Sequence, residues 1–573
     1  MSEPRPKRVA PAGAGWLARP VGRAGRIGLA LVILAAPAVL FFAPFKIPGT
    51  AHVARDPLSI YRLYSDDFAY VGASRTLART ASNLFVPHNT HVVPAWRVVT
   101  WALVAWSGRL ANLPETLAEA AFGILLAVMI LMGRLVARET GRPAIGLAAM
   151  VAVGVTSVMA SPACWYSAGQ TLWAAFGVLA TLWYAQCWRR SAAAATLPAM
   201  ALSAMFAGWC WTIGHMAGPV AAVYLWLDGR RRCRWAAAVP FGASVLAALI
   251  SVALGASKVD SSVSFHGRTT KEAVKPLEGL LHTGQAIPEN LVLGNLGMKA
   301  QTTAAQGLTL TALLVGTWGI GRRRRGGLAA FAPLEVAGLA LVFGSYLVEW
   351  TVRGYMPFRY LRTVNLGMIV PWYDAVPQVG AVLFAAGWLA GPRGQGDAGL
   401  RVPRRPPRLS RLEALSVLGL LGILLTLNQP RVDRLWRNWV PPPLPVEKRM
   451  FPIQSMQSMR AHILLLDRAA WQRRFLGRLD LAQEAASRMG IGLASIRQAF
   501  GRIDAPELPD VYDAALLLDL PQEGKELDPD QVRRALAPYV QAEPPPRPSW
   551  LPPGEAWPPP DMPHWSETDV DAP

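Results

Sequence analysis

The sequence predicts an all-α fold: a polytopic transmembrane helical bundle of about eleven crossings, followed by a small helical domain. Three observations carry that prediction. Apolar runs of about 20 residues, the thickness of a bilayer's hydrocarbon core, recur between Ile27 and Leu427. Charged residues make up 16% of the chain and mean hydropathy is +0.26, whereas soluble domains carry roughly 25% charged residues. The arginines gather in short clusters between the runs, and every dense cluster in the short loops falls on one side. A backbone in lipid must satisfy its own hydrogen bonds, so the runs are read as helices.

Residues 1–25 are rich in Pro, Gly and Ala and carry Arg5, Lys7, Arg8, Arg19 and Arg23, as a cytoplasmic basic tail would. No small-residue cleavage site follows, so Ile27 to Phe42 is read as a retained first crossing. Residues 46–96 then form an extracytoplasmic loop. Val98 to Trp106 is short for a crossing and suits an interfacial helix anchored by Trp96, Trp101 and Trp106. Leu117–Leu135 crosses inward to Arg134, Arg138 and Arg142, and Ala144–Ala160 crosses outward. Ser161 to Gly169 is read as a short external loop.

Leu172–Tyr184, Ala193–Trp211 and Val220–Leu227 continue the alternation, with Gly214-His215-Met216 as an outer corner and Arg230–Arg234 inside. Trp235–Ala256 leads to a second polar loop, Ser257–Gln306. Leu308–Ile320 returns to four arginines at Arg322–Arg325, and Leu328–Val348 leads to a loop from Glu349 to Arg362. Leu366–Leu389, with bends expected at Pro371 and Pro377, and Leu415–Leu427 complete the count. Residues 26–429 thus form the membrane domain. Beyond it, residues 430–540 read as an extracytoplasmic helical domain and residues 541–573 as a proline-rich disordered tail.

The net charge of +20 is explained by the one-sided arginine clusters. No basic stripe with interleaved aromatics appears, so no nucleic-acid partner is expected. Cys164, Cys187, Cys210 and Cys233 recur at about one bilayer crossing apart. They show no metal-binding spacing, and the topology permits a Cys164–Cys210 disulfide without requiring one.

The polar groups that lipid does not explain collect on the opposite side. Ser65-Asp66-Asp67-Phe68 follows the first crossing, and Pro87-His88-Asn89-Thr90-His91 and Pro94-Ala95-Trp96-Arg97 come soon after. Adjacent carboxylates can act as a general base, hold a divalent cation such as Mg or Mn, or simply cap a helix. His88 and His91 can bond a sugar or phosphate, ligate a metal whose third ligand is missing from the pattern, or pack within the loop. His215 is a substrate-binding candidate or a structural residue at a helix end. Arg359 can fork onto a phosphate and Tyr360 can stack on a sugar, or both can anchor at the headgroups. No P-loop, dinucleotide fingerprint, GxSxG or HExxH is present.

This pattern resembles the GT-C class of membrane glycosyltransferases that use polyprenyl-phosphate sugars. The resemblance spans roughly residues 25–430. It rests on one crossing followed by Asp66-Asp67-Phe68, on Pro87…His91…Pro94…Arg97, and on Phe358-Arg359-Tyr360-Leu361 with Pro371 and Pro377 beyond. It implies transfer of a sugar from a lipid-linked donor to a glycan, lipid or protein acceptor outside the cytoplasm, in a bacterial plasma membrane. Asp66 or Asp67 would act as base or metal ligand and Arg359 would meet the carrier phosphate. The Arg359–Pro371 spacing is long for that class, and no second acidic motif follows. A non-catalytic scaffold working through residues 430–540 and a transporter or flippase are therefore the alternatives.

Overall fold

A computed structural model describes residues 17–42, 66–88, 91–109, 112–256, 283–284, 286–296, 304–324, 331–353, 374–390 and 409–439. Among these the chain is helical, with isolated bridges and no strand. In chain order the helices are α1 (Arg23–Phe42), α2 (Asp66–Ala73), α3 (Leu77–Asn83), α4 (Pro94–Ser107), α5 (Leu113–Thr140), α6 (Pro143–Gly154), α7 (Ala160–Cys164), α8 (Tyr166–Ser191), α9 (Thr196–Cys210) and α10 (Ala217–Trp226). After these come α11 (Arg231–Ala236), α12 (Ala238–Ala256), α13 (Ala304–Arg324), α14 (Pro333–Arg353), α15 (Ala375–Ala390) and α16 (Arg411–Trp439).

Where the expected apolar runs fall on described residues, they are helical, with one break in the Ala144–Ala160 run. Among the described residues, four helical stretches are long and apolar enough to cross a bilayer: Arg23–Phe41, Glu115–Thr140, Arg231–Gly255 and Arg411–Val432. Their apolar side chains that face away from the protein, such as Ile27, Leu31, Leu249, Val252 and Ile423, are exposed in a manner that only lipid suits. Helix α8 is enclosed for most of its length, with α5, α7, α9, α10 and α15 against it.

Local sequence explains the joints. Gly141 closes α5 in the left-handed conformation, and Pro143 opens α6 at the position where a missing N–H costs nothing. Small residues let the helices approach closely: a Cβ on Gly146 would lie 2.6 Å from the Gly133 carbonyl oxygen, and one on Gly177 2.8 Å from Ala207 Cβ. The backbone next to α1 pairs with the start of α16. Val21 N–H donates to Leu409 O at 2.8 Å and Arg411 N–H to Arg19 O at 3.0 Å.

Four expectations need correction. Ser161–Gly169 is not a loop: α7 and α8 occupy it, separated by the single extended residue Trp165. The Ala144–Ala160 crossing is not one straight helix but breaks after Gly154, where α6 and the segment Ser157–Cys164 meet at a 51° bend. Glu349 and Arg353 belong to α14 rather than to a loop. The Cys164–Cys210 bridge that the topology permits is not formed, and none of the four cysteines makes a disulfide. Pro377 sits in the first turn of α15, where it causes no bend. The final helix runs on past Gln429 to Trp439. Residues 440–573, Arg359, Tyr360 and Pro371 lie outside the described residues.

Candidate functional site

The acidic pair opens α2, where carboxylates suit the positive end of a helix. Only the backbone of Asp66 is described. Asp67 is fully buried. Its Oδ1 accepts the Ser167 N–H at 2.8 Å and a short bond from the Ser167 hydroxyl. Ser167 stands in the first turn of α8, so this carboxylate satisfies an orphan amide of a second helix and sits against that helix's positive end. One acid thereby joins α2 to the central helix of the bundle.

One turn further on, Tyr70 is buried among the other candidates. His88 lies 4.4 Å from it between ring centroids and Trp96 6.3 Å, and the Arg97 guanidinium stands over its ring at 5.8 Å. Trp96 packs on Tyr166 at 4.6 Å, and the Tyr166 hydroxyl donates to Thr100 Oγ1 at 2.6 Å. Arg97 donates to the Val86 carbonyl at 3.0 Å. Burial is the main influence on its guanidinium and lowers its pKa, against a raising effect from Tyr70. His88 and His91 exchange backbone hydrogen bonds of 2.8 Å in both directions, which closes a tight turn. The His91 ring lies 4.2 Å from Trp211, and its Nδ1 is 2.7 Å from Thr212 Oγ1.

The structure therefore gathers Asp67, His88 and Arg97 around Tyr70, Trp96 and the start of α8, with the His91 ring set against Trp211 and Thr212. His215 lies on the same short turn as Thr212, Thr212–Met216. Its ring packs on Gly208, whose missing Cβ makes the room. Among the described residues no three His, Cys, Asp or Glu side chains lie close enough to hold a metal ion. Ser167 was not singled out from the sequence, Tyr70 was read only as part of the acidic stretch, and Tyr166 was read as part of an aromatic belt at the membrane surface. Tyr70 carried a usable signal, being one helical turn after Asp67; Ser167 carried none.

A second polar group marks the far end of the bundle. Glu139 accepts from Arg189 at 2.9 Å, Gln186 at 2.9 Å and Tyr224 at 2.7 Å. Arg189 also reaches Asp228 at 2.6 Å. Asp228 lies in the turn after α10, where Arg230 engages it as well. Burial would raise its carboxyl, but the hydrogen bonds from Arg230 and Arg189 outweigh this and bring it down to about 2. Ser167 and Arg189 stand on one helix about 22 residues apart, or about 33 Å at 1.5 Å per residue. That span equals the hydrocarbon thickness of a bilayer. The Asp67 cluster and the arginine-rich ends thus occupy opposite ends of the bundle.

No protein-family model and no curated protein matches this sequence. Among solved structures, the oligosaccharyltransferase of Archaeoglobus fulgidus, tethered to an acceptor peptide containing the NVT sequon, aligns with a TM-score of 0.32 and 12% identity. The alignment covers 88% of this chain and 60% of that one, so the chain spans less than two thirds of its length. A likeness of that size leaves the functional reading to the residues themselves.

Proposed function

We propose that this chain is an integral-membrane glycosyltransferase, moving a sugar from a polyprenyl-phosphate carrier to an acceptor on the membrane face opposite its arginine clusters. The observation that supports this most is the buried Asp67 carboxylate, fixed to the head of α8 beside two histidines, an arginine and three aromatic rings, at one end of a bilayer-length helix. Ionisable groups held in a membrane bundle are costly, and function is the usual reason they persist.

In this reading Asp67 is a positioning residue, because its Oδ1 is committed to Ser167. Asp66, its neighbour, takes the proton from the acceptor hydroxyl as that oxygen attacks the anomeric carbon. The bond from that carbon to the carrier phosphate breaks, and the phosphate leaves with the electron pair. Arg359 and Tyr360 are assigned to the carrier phosphate and sugar, and Arg97, His88, His91 and His215 to orientation around them. A Mg or Mn ion at Asp66 and Asp67 would neutralise the leaving phosphate. The chain would then lie in a bacterial plasma membrane as a multi-pass protein, with about eleven crossings, its N-terminus cytoplasmic and residues 430–540 outside.

The test is sugar transfer in membranes supplied with a labelled polyprenyl-phosphate sugar. Asp66→Asn should abolish transfer with the fold intact, and Asp67→Asn should lower both transfer and thermal stability. Full transfer by the double variant ends the proposal. If the variants change nothing and residues 430–540 capture a stable partner, the scaffold reading takes its place.

A further inference from the structure

A buried carboxylate outside the site above has no part in that reaction. Asp374 immediately precedes α15 and is fully enclosed. Its Oδ1 accepts the Tyr346 hydroxyl of α14 at 2.7 Å and the Asn290 amide at 2.9 Å. Its Oδ2 is buried without a hydrogen-bond partner among the described residues. Asn290 lies in a π-helical turn, Ile287–Leu293, where the Gly294 N–H reaches back to Glu289 O at 2.9 Å. Such turns are rare and collect at functional sites.

The surroundings are polar and jointed. One turn along α15, Gln378 donates to Ala152 O beside the α6 break at 2.9 Å and accepts from Asn295 at 2.7 Å. Asn428 of α16 donates to Asn295 O at 3.1 Å and accepts the Ser157 N–H at 2.9 Å. Asp374 thus sits where a π turn, a broken span and the head of α15 meet, the kind of junction that can open and close.

We propose that Asp374 is a proton-binding site: its carboxyl carries a proton on Oδ2 while this junction is closed and releases it when the junction opens. An ionised carboxylate with one oxygen dry and undonated leaves charge uncompensated in an apolar bundle. A proton removes that charge and needs no coordination sphere, whereas the described residues offer no metal cage. The charged and titratable groups on the surrounding elements are Tyr346 and Glu349 from α14, Glu289 from the π turn and Arg431 from α16, whose guanidinium donates to Gly294 O at 2.5 Å. The helices α5 and α8 also pack on α15, and their opening turns carry Glu115, Glu119 and Tyr166. The α6 helix and the Ser157–Met159 turn bring none.

The test uses the full chain in lipid nanodiscs, with two readouts independent of sugar transfer. The first is the carbonyl stretch of a protonated carboxylic acid in the infrared difference spectrum between pH 5 and 9. The band should be present in the wild type and in Glu349→Gln, and absent in Asp374→Asn. The second is thermal stability against pH. A carboxyl that keeps its proton when folded and ionises when unfolded binds more protons in the native state. Stability therefore falls as pH rises above the ordinary carboxylate range, until the band is gone. Asp374→Asn, which has the shape of the protonated acid, should lose that slope. An unchanged band and slope in Asp374→Asn, or loss of the band in Glu349→Gln, overturns the proposal. Should Asp374→Asn fail to fold, Tyr346→Phe decides: removing a donor to the ionised form must move the band's titration to higher pH, and an unmoved midpoint overturns it.

Discussion

Truncation of Glu139 should be among the more damaging changes in the membrane domain, and its size follows from the partners left behind. Glu139 is buried and holds Arg189, Gln186 and Tyr224 at once. Removing one partner of a buried ion pair costs about 3–5 kcal/mol. Arg189 keeps Asp228 at 2.6 Å, so its charge is not stranded, and the low end applies: about 3 kcal/mol for Glu139→Ala. Glu139→Gln preserves the volume and two acceptor contacts and loses one charged hydrogen bond, worth about 1.5–3 kcal/mol. The order is therefore Ala worse than Gln. Replacing both Glu139 and Arg189 with apolar residues of similar volume should recover much of the loss. Denaturation of the purified chain in a fixed detergent measures all three. A Glu139→Ala variant within about 0.5 kcal/mol of wild type refutes the reasoning.

Three further outcomes are expected. Gly177→Leu would drive a side chain into Ala207 on α9 and lower thermal stability by about 1–3 kcal/mol of overpacking, while an unshifted unfolding midpoint would mean that α8 and α9 are not so close. Ser167→Ala removes the hydroxyl from Asp67 but keeps the N–H, so it should cost about 1–2 kcal/mol, less than Asp67→Ala. Asp228, brought down to about 2 by its arginines, contributes stability that is present above about pH 4 and is lost as pH falls from there toward 2. Asp228→Asn should flatten that acid limb of the stability curve.

Much of the architecture could be read from periodicity and arginine placement, because lipid imposes both. Among the described residues the expected runs are helical, one of them broken after Gly154, and the acidic pair fell at a helix start as its side chains prefer. The joints were harder. Ser161–Gly169 looked like a loop because it is short and polar, yet one extended residue, Trp165, is all the turn the chain needs there. The partner of Asp67 lies 100 residues away, a pairing that no local pattern announces. Asp374 was passed over for the same reason. It is a single acid in an apolar stretch, and its meaning comes from Tyr346 and Asn290 on distant segments. Glu335, by contrast, is answered by the neighbouring helix in the chain: Arg322 and Trp318 of α13 both donate to it, at 2.7 and 2.5 Å.

The pairing of Leu409 and Arg411 with Val21 and Arg19 has a consequence for how the protein is made. The two partners are separated by nearly the whole membrane domain. At about 5–20 residues per second, roughly 390 residues take about 20–80 s to synthesise. During that time the first helix waits in the bilayer without its last neighbour, and only the arrival of the final one fastens the bundle shut.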